Sequence, residues 1–377
     1  MLRIIRYIFL LPVLLFAFCN SLEAQTGHWQ ILKTNNEIAE RNECGLATVN
    51  GKLYLIGGDG GSPKKVECFD PKTLSWTTLA SAPVVMHHFQ AVALGKNIYV
   101  LAAFADGNYP NQNPLPGVYI YDTEKDNWKK GAEIAADRKR AGAGAAAYNG
   151  KLYLVAGIQH GHSSGTTNMF DEYDPQTNTW TVLPDAPHIR DHASATVIKD
   201  KLYAVGGRNT SYHEPDNFMA FFSHTVTEVD CFDFATGKWS TLSAKLPLGT
   251  GGGAVVNFKD KLYYMGGERA TATSGNGPQK NVYFLDPATN NQWAEVDNLN
   301  KARNGTAAVV LNNTIYLLGG SGGGPGGPPP GNNPNRPFPG NNNPPDSANR
   351  NGFPPGPPPN GPNGGGNSSK IVIEILK

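Results

Sequence analysis

At 377 residues, 39% hydrophobic and 17% charged, the chain is long enough to bury an extensive core. Its 32 Lys and Arg nearly balance 31 Asp and Glu, so composition supplies no basic face for nucleic acid or an anionic membrane.

The chain opens with Arg3 and Arg6, an apolar run from Tyr7 to Phe18, and then Asn20-Ser21-Leu22-Glu23-Ala24 before Gln25. Charged, apolar and small-residue segments in that order make a secretory signal peptide over residues 1–24. Cleavage is expected near Ala24, which places the mature protein in a secreted or periplasmic, extracellular setting. The apolar run is shorter than the ~20 residues a spanning helix needs, so no membrane span is expected. Cys44, Cys68 and Cys231 follow; an odd number is no disulfide framework, and they read as buried apolar side chains.

From residue 25 onward a repeat dominates. Leu53-Tyr54, Ile98-Tyr99, Leu152-Tyr153, Leu202-Tyr203, Leu262-Tyr263 and Ile315-Tyr316 recur about every fifty residues. Three residues on stand Gly57-Gly58, Ala102-Ala103, Ala156-Gly157, Gly206-Gly207, Gly266-Gly267 and Gly319-Gly320. A turn then opens at Asp70, Asp122, Asp174, Asp233 or Asp286, where a carboxylate caps turn amides. Tryptophan completes each unit at Trp76, Trp128, Trp180, Trp239 and Trp293, and Trp29 stands alone near the start. Each unit reads as four short strands. The last unit lacks a tryptophan strand after Ile371 to Leu376, and the segment around Trp29 is expected to supply it. The predicted fold is therefore all-β, a six-bladed β-propeller forming one domain over residues 25–377, its ring closed by the N-terminal strand joining the last blade.

The glycine pair with spaced tyrosine and tryptophan resembles the kelch repeat. The stretch Gly161-His162, Phe170 to Pro175, Arg190-Asp191-His192 and Leu202 to Arg208 also resembles secreted kelch proteins of the galactose-oxidase-like propeller superfamily. Ala102-Ala103 and Ala156 depart from the glycine pattern, and slightly altered turns are expected there because alanine resists positive φ. The copper-radical chemistry of galactose oxidase itself is not the expectation here: Cys68 and Cys231 fall at equivalent third-strand positions, and six blades are expected to take up the residues an extra domain would need.

The resemblance implies a ligand face built from the loops between second and third strands and from the residues entering the first. Counting back thirteen from each repeat tyrosine gives Arg41, Met86, Arg140, Arg190, Thr250 and Arg303; the repeated arginine is expected to bridge adjacent blades. The two positions that follow vary, as specificity positions do: Asn42-Glu43, His87-His88, Ala141-Gly142, Asp191-His192, Gly251-Gly252 and Asn304-Gly305. With the charges just after the glycine turns, the candidate ligand-binding set is Asn42, Asp59, His87, His88, Asp191, His192, Arg208, Glu268 and Asn304. Eight of nine histidines fall in blades two to four. Two readings stand for them: a metal site using His160, His162 and His192, with Asp191 as ligand or orienter, or hydrogen-bonding loop histidines. No cofactor is expected on the second reading, copper or zinc on the first.

Residues 321–369 are almost entirely Gly, Pro and Asn, a composition expected to stay disordered as an insertion within blade six. Two functions are consistent with this sequence. One is a binding scaffold for an extracellular glycan or protein. The other is a carbohydrate-active enzyme, either epimerase- or mutarotase-like or a metal-dependent oxidase.

Overall fold

The computed structural model describes residues 28–60, 63–270, 277–289, 292–321 and 370–377. The expected leader and residues 322–369 of the insertion lie outside the described residues. Six four-stranded antiparallel sheets stand as blades around one axis. Blade one runs Gly45–Val49, Lys52–Ile56, Val66–Asp70 and Ser75–Leu79. Blades two to five repeat that order between Val92 and Val296. Blade six takes Asn304–Leu311, Thr314–Ser321 and Ile373–Leu376, and its outer strand is Gln30–Leu32. Gln30 pairs with Ile375 and Leu32 with Ile373, so the two ends of the chain share one sheet as the tryptophan count predicts.

Two-residue periodicity explains why the blades stack. Successive side chains of a strand point to opposite faces. In blade one Leu53 and Leu55 face Leu318 and Ile375 of blade six, while Tyr54 and Ile56 face Ile98, Val100, Tyr119 and Tyr121 of blade two. Alternate apolar residues thus feed two different interfaces, and no sheet is stable without both neighbours. Tryptophan adds a polar tie: Nε1 of Trp128, Trp239 and Trp293 donates to the carbonyls of Ala80, Pro184 and Ala244, each just past the outer strand of the preceding blade.

The aspartate turns form as expected. The Asp70 carboxylate accepts from the Lys72 amide at 2.9 Å, and that of Asp233 from Ala235 and Thr236 at 3.0 Å each. All three described cysteines are buried and unpaired. At the glycine turns the second glycine's amide reaches the next blade: Gly58 donates to Met86, Gly207 to Thr250 and Gly267 to Arg303, each at 2.8 Å. Gly57 has φ +60°, and a Cβ there would stand 2.2 Å from the Met86 carbonyl oxygen. Ala156 nevertheless keeps φ +61°, whereas neither Ala102 nor Ala103 takes a positive φ, so only blade two has a different turn.

The repeated arginine does not bridge blades. Arg41, Arg140, Arg190 and Arg303 are fully buried and pair with Glu67, Asp171, Asp230 and Glu374 on the third strand of their own blades. The guanidinium also donates to carbonyls at the end of the second strand, as Arg190 does to Gly206 at 2.9 Å and Arg303 to Gly319 at 2.8 Å. The fork thereby locks each blade's entry loop to its own interior.

Candidate functional site

Each blade delivers the two variable positions to one end of the axis by the same device. The residue after the arginine position pairs with the residue just after the glycine turn: Asn42 with Asp59, His87 with Phe104, Ala141 with Ile158, Asp191 with Arg208, Gly251 with Glu268 and Asn304 with Ser321. The two series singled out in the sequence are therefore partners across the mouth of the ring.

The next residue turns inward. Glu43, His88, Gly142, His192, Gly252 and Gly305 all have positive φ, between 51° and 67°. Backbone hydrogen bonds link them around the axis at five of the six junctions. The amide of His88 donates to Glu43, Gly142 to His88, Gly252 to His192 and Gly305 to Gly252, each at 2.8 Å, and Glu43 donates to Gly305 at 2.7 Å. These six residues line a cavity of about 60 Å³ that holds the axis. Three of the six positions carry glycine, which adopts this conformation freely. Glutamate and two histidines hold it at a cost of ~1–3 kcal/mol each, a strain typical of functional positions.

Three imidazoles converge here. The ring of His88 stands 4.9 Å from that of His162 and 5.1 Å from that of His192, and the latter two are 5.0 Å apart. His162 comes from the tip of the blade-three hairpin, where Gly161 has φ +57° and His160 pairs with Ser164. That turn sends His162 inward and leaves His160 exposed, so His160 does not join His162 and His192, and His88 stands where His160 was expected. Phe104 packs against His88 and His162, and Tyr109 lies 5.1 Å from His162.

Carboxylates and amides surround the rings. His192 Nδ1 donates to Asp191 Oδ1 at 2.5 Å, and His162 Nδ1 lies 3.1 Å from Gln112 Oε1. Asp191 also accepts from Thr166 Oγ1 at 2.6 Å and from the Thr210 amide at 2.9 Å. Burial alone would raise Asp191, but the hydrogen bond from His192 and the charge of Arg208 bring it down to about 2. Burial holds His192 below the usual histidine range, and burial with neighbouring histidines holds His88 and His162 well below it. Glu43 is pushed up to about 8 by burial and by the nearby Glu268 carboxylate. A second group joins Asp59, His87 and His88, in which Asp59 is partly exposed and His87 Nδ1 lies 3.6 Å from its carboxylate.

Arg208 and Glu268 pair with each other, and Glu268 accepts from Asn304. Arg208 is only 2% exposed, with its guanidinium 5.0 Å and 4.8 Å from the rings of Phe221 and Phe222. This charge is neutralised within the protein and braces the wall between blades four, five and six. Gln112, Thr210 and Tyr109 were missed in the sequence because they sit in loops that no repeat position indexes, and Thr166 because it lies on a strand extension, Ser164–Asp174, that the repeat does not index.

The comparisons agree with this architecture. The Kelch-like protein terF of Aspergillus terreus is 27% identical over 300 residues, 75% of this chain and 62% of that protein. Kelch-like protein 23 of Homo sapiens is 27% identical across 69% of this chain and 42% of its own length. Kelch-like protein 25 of Xenopus tropicalis is 28% identical across 67% and 39%. The chain thus spans about two fifths to three fifths of the curated relatives it matches. A solved structure titled "Structure of YjhT" superposes with a TM-score of 0.65 at 17% identity, covering 77% of this chain and 93% of that one, a likeness of fold. The family model described as the Attractin/LZTR1 beta-propeller matches residues 16–275, more than half of the sequence. With the kelch-type ring and its six blades, this match means that the chain belongs to the Attractin/LZTR1 beta-propeller family.

Proposed function

We propose that the chain is a protein-binding scaffold, set outside the cytoplasm by its leader, whose partner docks on the loop face at the axis mouth. One observation carries this reading: six nearly identical blade frames are each followed, after the second strand, by a segment of unlike sequence, so rigidity and variation are separated. Similarity to kelch-like proteins supports it. On that face Tyr109 is 52% exposed and is held by Tyr109 Oη donating to Met219 Sδ at 3.3 Å, which ties the blade-two loop to the blade-four loop. A large, partly exposed ring held between two loops is the kind of anchor that dominates protein interfaces.

The test compares partners crosslinked to the mature wild-type chain with those of Tyr109→Ala/Asp59→Ala and of Val182→Ser on an outer strand. We expect one protein species to be lost with the first variant and kept with the second, at unchanged thermal midpoints. A species kept by both, or a glycan in its place on an array, would overturn the reading.

A further inference from the structure

We propose that His88, His162 and His192 form a binding site for one divalent transition-metal ion of the zinc type, at the axis of the propeller. The inference is independent of any protein partner. It rests first on position: one ring nitrogen from each of the three residues lies within 4.8 Å of the others, and all three side chains are buried.

The hydrogen bonds then fix the protons. An ionised carboxylate only accepts, so the Asp191 contact makes His192 donate from Nδ1; likewise Gln112 Oε1 takes the Nδ1 proton of His162. Each neutral ring therefore presents a bare lone pair at Nε2. Those two Nε2 atoms face one another at 3.2 Å, an acceptor against an acceptor with no donor between them. A cation resolves that conflict. Two nitrogens bound to a tetrahedral zinc at ~2.0–2.1 Å stand ~3.3–3.4 Å apart, close to the spacing seen. Carboxylate and carbonyl oxygens holding the distal imidazole nitrogen are also the usual supports of metal-ligating histidines.

The third imidazole completes a face. His88 and His192 occupy two of the six left-handed ring positions, where glycine would be easier, and His162 is brought over them by the Gly161 turn. Three protein ligands leave a fourth position toward the axial cavity, which Glu43 also lines.

The mature protein would be stripped with a chelator, desalted and titrated with Zn²⁺ by calorimetry, and with Co²⁺ by visible absorption. We expect one equivalent of either ion and the intense d–d bands of low-coordinate cobalt. His162→Ala should weaken Zn²⁺ binding at least ~100-fold, and Gln112→Leu ~10–100-fold. His88→Gly guards against misfolding, since it installs the residue that three other blades use, and it should lose the cobalt bands while keeping its far-ultraviolet spectrum. His160→Ala should bind like wild type. Failure of wild type to take up either ion, or undiminished binding by His162→Ala and His88→Gly, would overturn the proposal.

Discussion

Single residues in this protein are governed by burial. Tyr264 lies in the core, where its hydroxyl donates to the Thr250 carbonyl at 2.8 Å and lies 3.0 Å from Thr250 Oγ1. Burial raises its phenol to about 12, against the opposing pull of Thr250 and Arg190. A group raised on folding stabilises below its unfolded value near 10 and loses that contribution as pH climbs through 12. We therefore expect stability to fall between pH 10 and 12, and Tyr264→Phe to flatten that fall while costing ~1 kcal/mol at pH 7, as denaturant titrations at several pH values would read. Burial likewise pushes the Cys44 thiol up to about 11, and raises Cys68 and Cys231. A thiol reagent should label none of the three in native protein and all three in guanidinium; fast native labelling would contradict their burial.

At the scale of the element, the entry arginine and its acid form one unit. Where the arginine is present the third strand carries Glu67, Asp171, Asp230 or Glu374. Where Met86 or Thr250 replaces it, the equivalent third-strand residue is Tyr119 or Tyr283. The arginine was legible in the sequence, at a fixed offset before the repeat tyrosine, but its acid was not, because the loop between second and third strands varies in length and sets the acid at a different distance in each blade; arginine alone suggests a bridge between blades. Only the partner's strand shows the contact is internal. Glu67→Ala should cost ~3–5 kcal/mol, because it leaves a buried charge unpaired. Arg41→Met with Glu67→Tyr, copying blade two, should recover most of that loss in thermal unfolding.

For the whole molecule, the repeat made blade number and ring closure legible, because tryptophans and glycine turns are set by local strand and turn chemistry. The site was legible by position only. His87, His88, Asp191 and His192 could be placed at the mouth from their repeat offset, but the partner of His192 depends on how a hairpin tip turns. Loop conformation there comes from contacts such as the His162 amide donating to the Pro110 carbonyl at 2.6 Å, which join loops of two blades. Ring closure has a direct test. A chain starting at residue 34 keeps Ile373–Leu376 but loses its partner strand Gln30–Leu32. It should show a lower thermal midpoint and associate through the bared edge in size-exclusion chromatography, while the same midpoint and a monomer would show that closure contributes little.

The axial ring of amides has a consequence for how such a protein changes its chemistry. The backbone at Gly142, Gly252 and Gly305 has the same handedness as at Glu43, His88 and His192, so side chains and bare glycines share one frame. The axis then works as six sockets, three furnished and three blank. The blank sockets differ in what they admit: a Cβ at Gly142 would stand 3.2 Å from the His192 amide nitrogen and needs only a small shift, whereas at Gly305 it would meet the Glu43 amide nitrogen at 2.9 Å and the Glu43 side chain closer still, so a functional group is added to the centre most cheaply through blade three.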